Sequence, residues 1–458
     1  MPQEDGRHQF VAAGFDHSAN RPQLIGILIM TTKIIWLVRS GLTVSRGAVA
    51  LGLALLPLRQ SSAAAAAGVH PGPMSRTEAF ARAETLGALG RKIFFDPSLS
   101  ASGLQACASC HDPARAFSPA SAMPVEMGGE HRDQPGLRAV PTLRYLQSVP
   151  SFTEHYYDSE DEGDESVDNG PTGGLTWDGR VDHGADQAKI PLLSPFEMGN
   201  KDAAEVAAKL QKAAYADDIK AAFGETVFDN PKDAFDAAAE ALATFEQSRP
   251  DFYPYSSRYD AFLAGKATLT AQELRGRQLF EDPAKGNCSS CHLSEPANDG
   301  EPPQFSDFGF LGLAAPRNMA IPANNDPNYH DLGLCGPQRT DFAGRSEYCG
   351  LFRTPTLRNV ALKKSFFHNG YFHSLRDVVS FYATRDSDPG RWYPKYSDGT
   401  VRKYDDLPQA YWDNLNQDPP FGRKRGDAPA LTDPEIDDIV AFLGTLTDAD
   451  LQPEATGH

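Results

Sequence analysis

Two short motifs constrain this chain more than anything else in its 458 residues: Cys107-Ala-Ser-Cys110-His111 and Cys288-Ser-Ser-Cys291-His292. A C-x-x-C-H pentad sets two thiols where they can form thioethers with the vinyl groups of a haem, and the histidine that follows can ligate the iron. A zinc site would need the two pairs to meet as one four-ligand set. A dithiol redox motif has no use for a histidine after each pair. The pentads therefore predict two covalently bound c-type haems, with His111 and His292 as proximal ligands. The remaining cysteines are Cys335 and Cys349. Six cysteines are too few to scaffold a chain of this length, and in an oxidising compartment the last pair is expected to close a disulfide.

The surroundings of the pentads repeat. Gly90-Arg-Lys-Ile-Phe-Phe-Asp-Pro97 precedes the first and Gly276-Arg-Gln-Leu-Phe-Glu-Asp-Pro283 the second, and Pro141-Thr-Leu-Arg144 is echoed by Pro355-Thr-Leu-Arg358. Three matched features in one order predict two copies of one domain. Each copy opens on a helical pattern. Phe80, Ala83, Leu86, Leu89, Ile93 and Phe94 recur every three or four residues, and Thr270 with Glu273 forms a capping box ahead of Leu274, Leu279 and Phe280. A further box, Thr432 with Glu435, precedes Ile436, Ile439, Val440, Leu443 and Leu446 on one face. Stretches 202–215 and 234–247, rich in alanine, read as helices. Strand-like alternation is scarce, so the fold is expected to be mainly α, with 112–180 and 293–360 as long loops.

Residues 1–67 stand apart as a leader and signal peptide. Arg39 and Arg46 precede an apolar run at 48–58 and then Ser61-Ser-Ala-Ala-Ala-Ala-Ala67, the pattern of an export signal. The run is too short to span a bilayer, so cleavage is expected and no stable span in the mature chain; an uncleaved anchor is the alternative. A second apolar patch at 24–38 contains Met30, which reads as a true start. Export agrees with haem attachment outside the cytoplasm and predicts a periplasmic protein. A net charge of −18 sets the chain against nucleic acid. The acidic run Asp158 to Asp168 reads as a solvated loop, or as a docking patch for a basic partner.

Five further segments carry a resemblance: the Ile93-Phe-Phe-Asp-Pro-Ser-Leu-Ser100 run, Trp177-Asp-Gly-Arg180, Gln187-Ala-Lys-Ile-Pro191 with Pro195-Phe-Glu-Met198, Pro355-Thr-Leu-Arg-Asn359, and Phe367-His-Asn-Gly370 before Leu375-Arg-Asp-Val-Val379. With the paired pentads, they make residues 75–447 resemble the bacterial diheme cytochrome c peroxidase and MauG family. The resemblance implies two cytochrome c-like domains related by internal duplication, at 68–255 with an open peroxidatic haem and at 256–458 with an electron-transfer haem. It implies that Trp177 relays electrons between the haems, and that Glu197 is the distal carboxylate that moves the peroxide proton during O–O cleavage. Gln187 and Pro191 would line the same pocket. It makes Tyr382 the second haem's sixth ligand, where classical peroxidases of the family carry Met and MauG-like members Tyr. A phenolate there disfavours the ferrous state. Taken without the resemblance, Trp177 and Tyr382 read as core residues and Glu197 as a surface residue in a Pro-flanked turn.

Two positions depart from the family pattern. Its interdomain calcium uses an Asn and carbonyls where this chain has Ala139 and Lys363-Lys364-Ser365, so calcium is expected to be absent and a lysine to supply the charge. His131 stands close to where classical members carry a loop His that caps the first haem; a surface loop His is the alternative. The expected function is an exported peroxidase reducing hydrogen peroxide with electrons from a small redox protein, a cytochrome c or a cupredoxin. Two alternatives stay open: a MauG-like oxidase that uses peroxide to modify Trp or Tyr residues of a partner protein, and a diheme electron carrier with both irons closed.

Overall fold

The computed structural model describes residues 74–157 and 167–452. The leader reading and most of the acidic run lie outside them. The helices are α1 (Arg76–Phe94), α2 (Cys107–Cys110), α3 (Gly184–Leu193), α4 (Ala203–Leu210), α5 (Ala216–Phe223), α6 (Pro231–Phe245), α7 (Arg249–Phe252), α8 (Arg258–Leu263), α9 (Ala271–Glu281), α10 (Leu375–Thr384) and α11 (Asp433–Gly444). Sheet is confined to two antiparallel pairs of two-residue strands, β1 (Met127–Gly128) with β2 (Gln134–Pro135), and β3 (Phe310–Leu311) with β4 (Phe352–Arg353). The fold is mainly α, and the expected long loops are there.

Helix α1 starts at a Ser75–Glu78 capping box and buries Leu86, Leu89, Ile93 and Phe94. Phe80, read as part of that stripe, is instead 60% exposed and lies under the Arg76 guanidinium. The boxes before α9 and α11 form as read. The stretch 202–215 does not make one helix. Asp202 caps α4, the chain then breaks, and Tyr215 turns inward to donate its hydroxyl to Asp96 at 2.6 Å before α5 begins.

Both G-R-x-(I/L)-F motifs serve the same packing task. A Cβ on Gly90 would lie 1.9 Å from the Ala241 carbonyl oxygen of α6, and one on Gly276 would lie 1.9 Å from that of Asp438 in α11. Only glycine lets α1 cross α6, and α9 cross α11, at backbone contact. The phenylalanine four residues on then meets an aromatic of the crossing helix, Phe94 on Phe245 at 5.4 Å and Phe280 on Phe442 at 5.3 Å. One apolar cluster draws on residues 89–253, a second on 259–446. A smaller third cluster holds Phe310, Leu334 and Phe342. Cys335 and Cys349 are joined by a disulfide, which for so short a loop contributes about 3 kcal/mol. Among the described residues no helix is long and apolar enough to cross a membrane.

Candidate active site in two cysteine–histidine cavities

Each pentad opens onto its own cavity of about 210 Å³. Helix α2 is the first pentad itself, and its cavity wall carries Cys107, Cys110 and His111; the second wall carries Cys288, Cys291 and His292. The two histidines are held identically. Nδ1 of His111 meets the Phe117 carbonyl oxygen at 3.0 Å, and Nδ1 of His292 meets that of Phe305 at 2.9 Å. A carbonyl only accepts, so Nδ1 carries the proton and Nε2 keeps its lone pair. Burial pushes both imidazoles down to about 4, so they are neutral at physiological pH.

The repeated P-T-L-R motifs support this arrangement. The Thr142 hydroxyl donates to the Ala116 carbonyl at 2.5 Å and the Thr356 hydroxyl to that of Gln304 at 2.7 Å, each on the residue before the phenylalanine that orients a histidine. The arginines end in buried ion pairs, Arg144 with Asp448 at 2.8 Å and Arg358 with Asp260 at 2.9 Å.

The cavities suit haem by the chemistry of their donors. Each offers two free thiols and one neutral imidazole with an available nitrogen. Burial pushes the thiols up, Cys291 to about 11 and Cys110 and Cys288 to about 12; the two pairs line separate cavities, so they do not meet as one four-ligand zinc set. Arg353 lines both cavities and Lys363 the second. Among the described residues neither has a carboxylate in ion-pair contact, which leaves two cations for the carboxylates a haem carries. Burial pushes Arg353 down to about 10 and Lys363 to about 8.

Most of the expected site residues converge. Trp177, Gln187, Pro191 and Glu197 all line the first cavity, Gln187 and Pro191 from α3 and Glu197 from the turn after it. Trp177 lines the second cavity as well, its indole N–H donating to the Ala139 carbonyl at 2.8 Å. Burial raises the Glu197 carboxyl above its usual range, partly offset by a hydrogen bond from Ser194 and the charge of Arg180. Tyr382 reaches the second cavity from α10, within electrostatic range of Cys288 and Cys291. His131 does not join them: it is exposed and lines neither cavity. At the expected calcium position the Ala139 carbonyl accepts from Trp177, and the Lys363 ammonium faces the Val140 carbonyl at 3.5 Å.

Three features were not read from the sequence. Glu246 follows the last residue of α6, lines the first cavity and is pushed up to about 8 by burial. His368, in the Phe-His-Asn-Gly segment, stacks on Phe352 at 3.6 Å, its Nε2 buried without a hydrogen-bond partner among the described residues. Arg138 bridges Asp178 at 2.7 Å and Asp331 at 2.6 Å, and Asp178 in turn holds Arg180 at 2.8 Å. Of these residues, Asp178, Arg180 and His368 stood inside motifs already named.

The chain matches the di-haem cytochrome c peroxidase family model over residues 84–268. It is 33% identical over 382 residues to the methylamine utilization protein MauG of Paracoccus denitrificans (strain Pd 1222), a match covering 81% of this chain and 90% of that one. The crystal structure of the diheme peroxidase BthA from Burkholderia thailandensis E264 superposes with a TM-score of 0.71 at 42% identity, covering 81% of this chain and 88% of that one. A tyrosine-to-methionine variant of BthA superposes with a TM-score of 0.72 at 41% identity and the same coverage.

Proposed function

Because this chain belongs to the di-haem cytochrome c peroxidase and MauG family, an oxidoreductase family that acts on peroxide and carries two covalently bound c-type haems, we propose that it is an exported peroxidase whose open site is the first cavity. The observation that carries this reading is a carboxyl, Glu197, on the wall of the cavity of His111, open to that cavity and with its acidity lowered by the protein packed around it. An electron carrier closes both irons and needs no acid/base group beside either. The haems supply the iron at which peroxide is reduced and the store for its oxidising equivalents. Glu197 takes a proton from one peroxide oxygen and returns it to the other. Gln187 and Pro191 shape the wall beside it, and Trp177, common to both cavities, relays electrons.

His111 and His292 are the proximal ligands in this reading, attached beside Cys107 and Cys110, and Cys288 and Cys291. Tyr382 closes the second site. His131, being exposed, leaves the first site open without reductive activation. The matching glycine crossings, histidine carbonyls and threonine hydroxyls support two duplicated cytochrome c-like domains at 68–255 and 256–458. Lys363 takes the place of calcium, and metal analysis of chelator-washed protein returning stoichiometric calcium would refute that. The location is periplasmic, and the donor a cytochrome c or cupredoxin.

The test is low-temperature EPR of the resting diferric protein before and after one equivalent of peroxide. One high-spin and one low-spin signal, both lost on peroxide, are expected. Two low-spin signals indifferent to peroxide overturn the reading in favour of a carrier. A second reading is favoured by Tyr382, whose phenol suits a haem kept out of the ferrous state: a MauG-like oxidase acting on a partner protein. Rapid turnover with reduced cytochrome c or cupredoxin separates the two, being expected of the peroxidase alone.

A further inference from the structure

From Tyr382 on the wall of the second cavity a row of aromatic side chains leads outward, and its members beyond Tyr382 have no part in the peroxidase reading. Tyr382 adjoins Phe381, ring centroids 6.4 Å apart, and Phe381 lies 6.5 Å from Tyr393. Tyr393 lies 5.7 Å from Tyr404, and Tyr404 5.3 Å from Trp412. Tyr393 and Tyr404 are buried. Trp412 is partly exposed in the short helical turn Gln409–Asn414, among exposed neighbours. The row therefore runs from the cavity wall to the surface.

Its polar ends differ in a way that packing does not require. The Tyr404 hydroxyl donates to Asp386 at 2.8 Å, and Asp386 is held as a carboxylate by Arg385 and Lys403, each at 2.8 Å. The Tyr393 hydroxyl donates to the Ala314 carbonyl at 2.7 Å, and the Trp412 indole N–H to that of Leu407 at 3.1 Å. A phenol that loses an electron becomes a strong acid and persists as a neutral radical only where a base takes its proton. A carboxylate does so; a carbonyl does not. An oxidised indole is a far weaker acid than an oxidised phenol, so Trp412 can pass the charge on with its N–H still on the Leu407 carbonyl. Tyr404 and Trp412 are thus equipped as stations, with Tyr393 and Phe381 bridging inward.

We infer that Trp412 is a surface oxidation site, joined through Tyr404 to the haem at His292, at which electron-rich phenols too large for the cavities give up single electrons. An electron leaves Tyr404 for the haem side as its phenol proton passes to Asp386. An electron from Trp412 then refills Tyr404 and the proton returns. The donor phenol restores Trp412 and releases its own proton to water. Two such passages supply the two electrons that, with two protons, reduce peroxide to water. The inference rests on the peroxidase reading.

The test treats the holoenzyme with peroxide and a nitroso spin trap, without donor, and maps adducts by peptide mass spectrometry while following the haem absorption. Adducts are expected on Trp412 in the parent, none at position 412 in Trp412→Phe, and at least tenfold fewer on Trp412 in Tyr404→Phe. Asp386→Asn, which keeps the side-chain shape, is expected to cut Trp412 marking likewise. Equal Trp412 marking in parent and Tyr404→Phe, or no marking while peroxide changes the haem spectrum, overturns this inference alone. A haem spectrum unmoved by peroxide overturns the peroxidase reading and this one with it.

Discussion

On the peroxidase reading, Glu197 acts from the wall of the first cavity, where its side chain opens onto the space in front of His111. Burial raises its carboxyl above the ordinary range, and the Ser194 hydrogen bond and Arg180 only partly offset that. The carboxylate form is the one that accepts the peroxide proton, so kcat/KM for peroxide falls as pH drops through this raised value, above an ordinary glutamate's. Glu197→Gln is expected to lower kcat/KM by roughly 10²–10⁴ and to remove that acidic limb, measured by steady-state peroxide turnover across pH. If Tyr382 is the second haem's ligand, as proposed, Tyr382→Met replaces a ligand that disfavours the ferrous iron with one that raises the potential. Spectroelectrochemistry is expected to show the second haem's potential moving upward with the first little changed. Both residues were singled out only through the resemblance, which local motifs carry, and the fold puts both on cavity walls, Glu197 in the turn after α3 and Tyr382 in the last turn of α10. Glu246 and Arg353 were not: nothing near Glu246 in sequence marks it, and Arg353 stands just before the second P-T-L-R motif without belonging to its repeat; only the fold carries them to a cavity.

Helices were read best where a cap and a periodic face agreed, at α11; at α9 the cap forms as read, but of the face only Phe280 is buried and Leu274 is exposed. They were read worst where tertiary contacts decide, as at Phe80 and at the break before Tyr215. The repeated glycines were visible as part of a motif, but their reason appears only in the crossing. At Gly90 and Gly276 an added methyl would overlap a backbone carbonyl that cannot swing aside. Gly90→Ala and Gly276→Ala are each expected to cost about 1–3 kcal/mol as overpacking. By calorimetry that lowers Tm by roughly 2–4 °C per kcal/mol for a unit of this size. Gly87→Ala is the control, since a methyl there meets nothing within 4 Å. It lies on the same helix and is expected to raise stability slightly through helix propensity.

At the scale of the molecule, the site exists because distant parts of the chain are locked around it. Trp177 is held from both sides of the sequence, its indole by Ala139 and its own carbonyl accepting the Arg353 N–H at 3.0 Å. The charged lock is Arg138, buried between Asp331 and Asp178. Burial by itself raises both carboxyls, but the Arg138 guanidinium outweighs it for each, joined by Arg180 at Asp178, and holds both below the usual range. No local motif announces a contact between residues 138 and 331, which is why this lock could not be read in advance. Its removal is costly for a reason surface pairs do not share. Arg138→Met keeps most of the stem volume but leaves two buried carboxylates without their common cation, a loss of about 3–5 kcal/mol. Surface pairs such as Lys92–Asp218, both half exposed, contribute at most about 1 kcal/mol and weaken with salt. Denaturant titration at low and high salt separates these. The Arg138→Met deficit is expected to persist in high salt, and to shrink on acidification as Asp178 and Asp331 take up protons. A deficit that salt abolishes would place Arg138 among the surface pairs and leave the packing around Trp177 to hold the two cavities together.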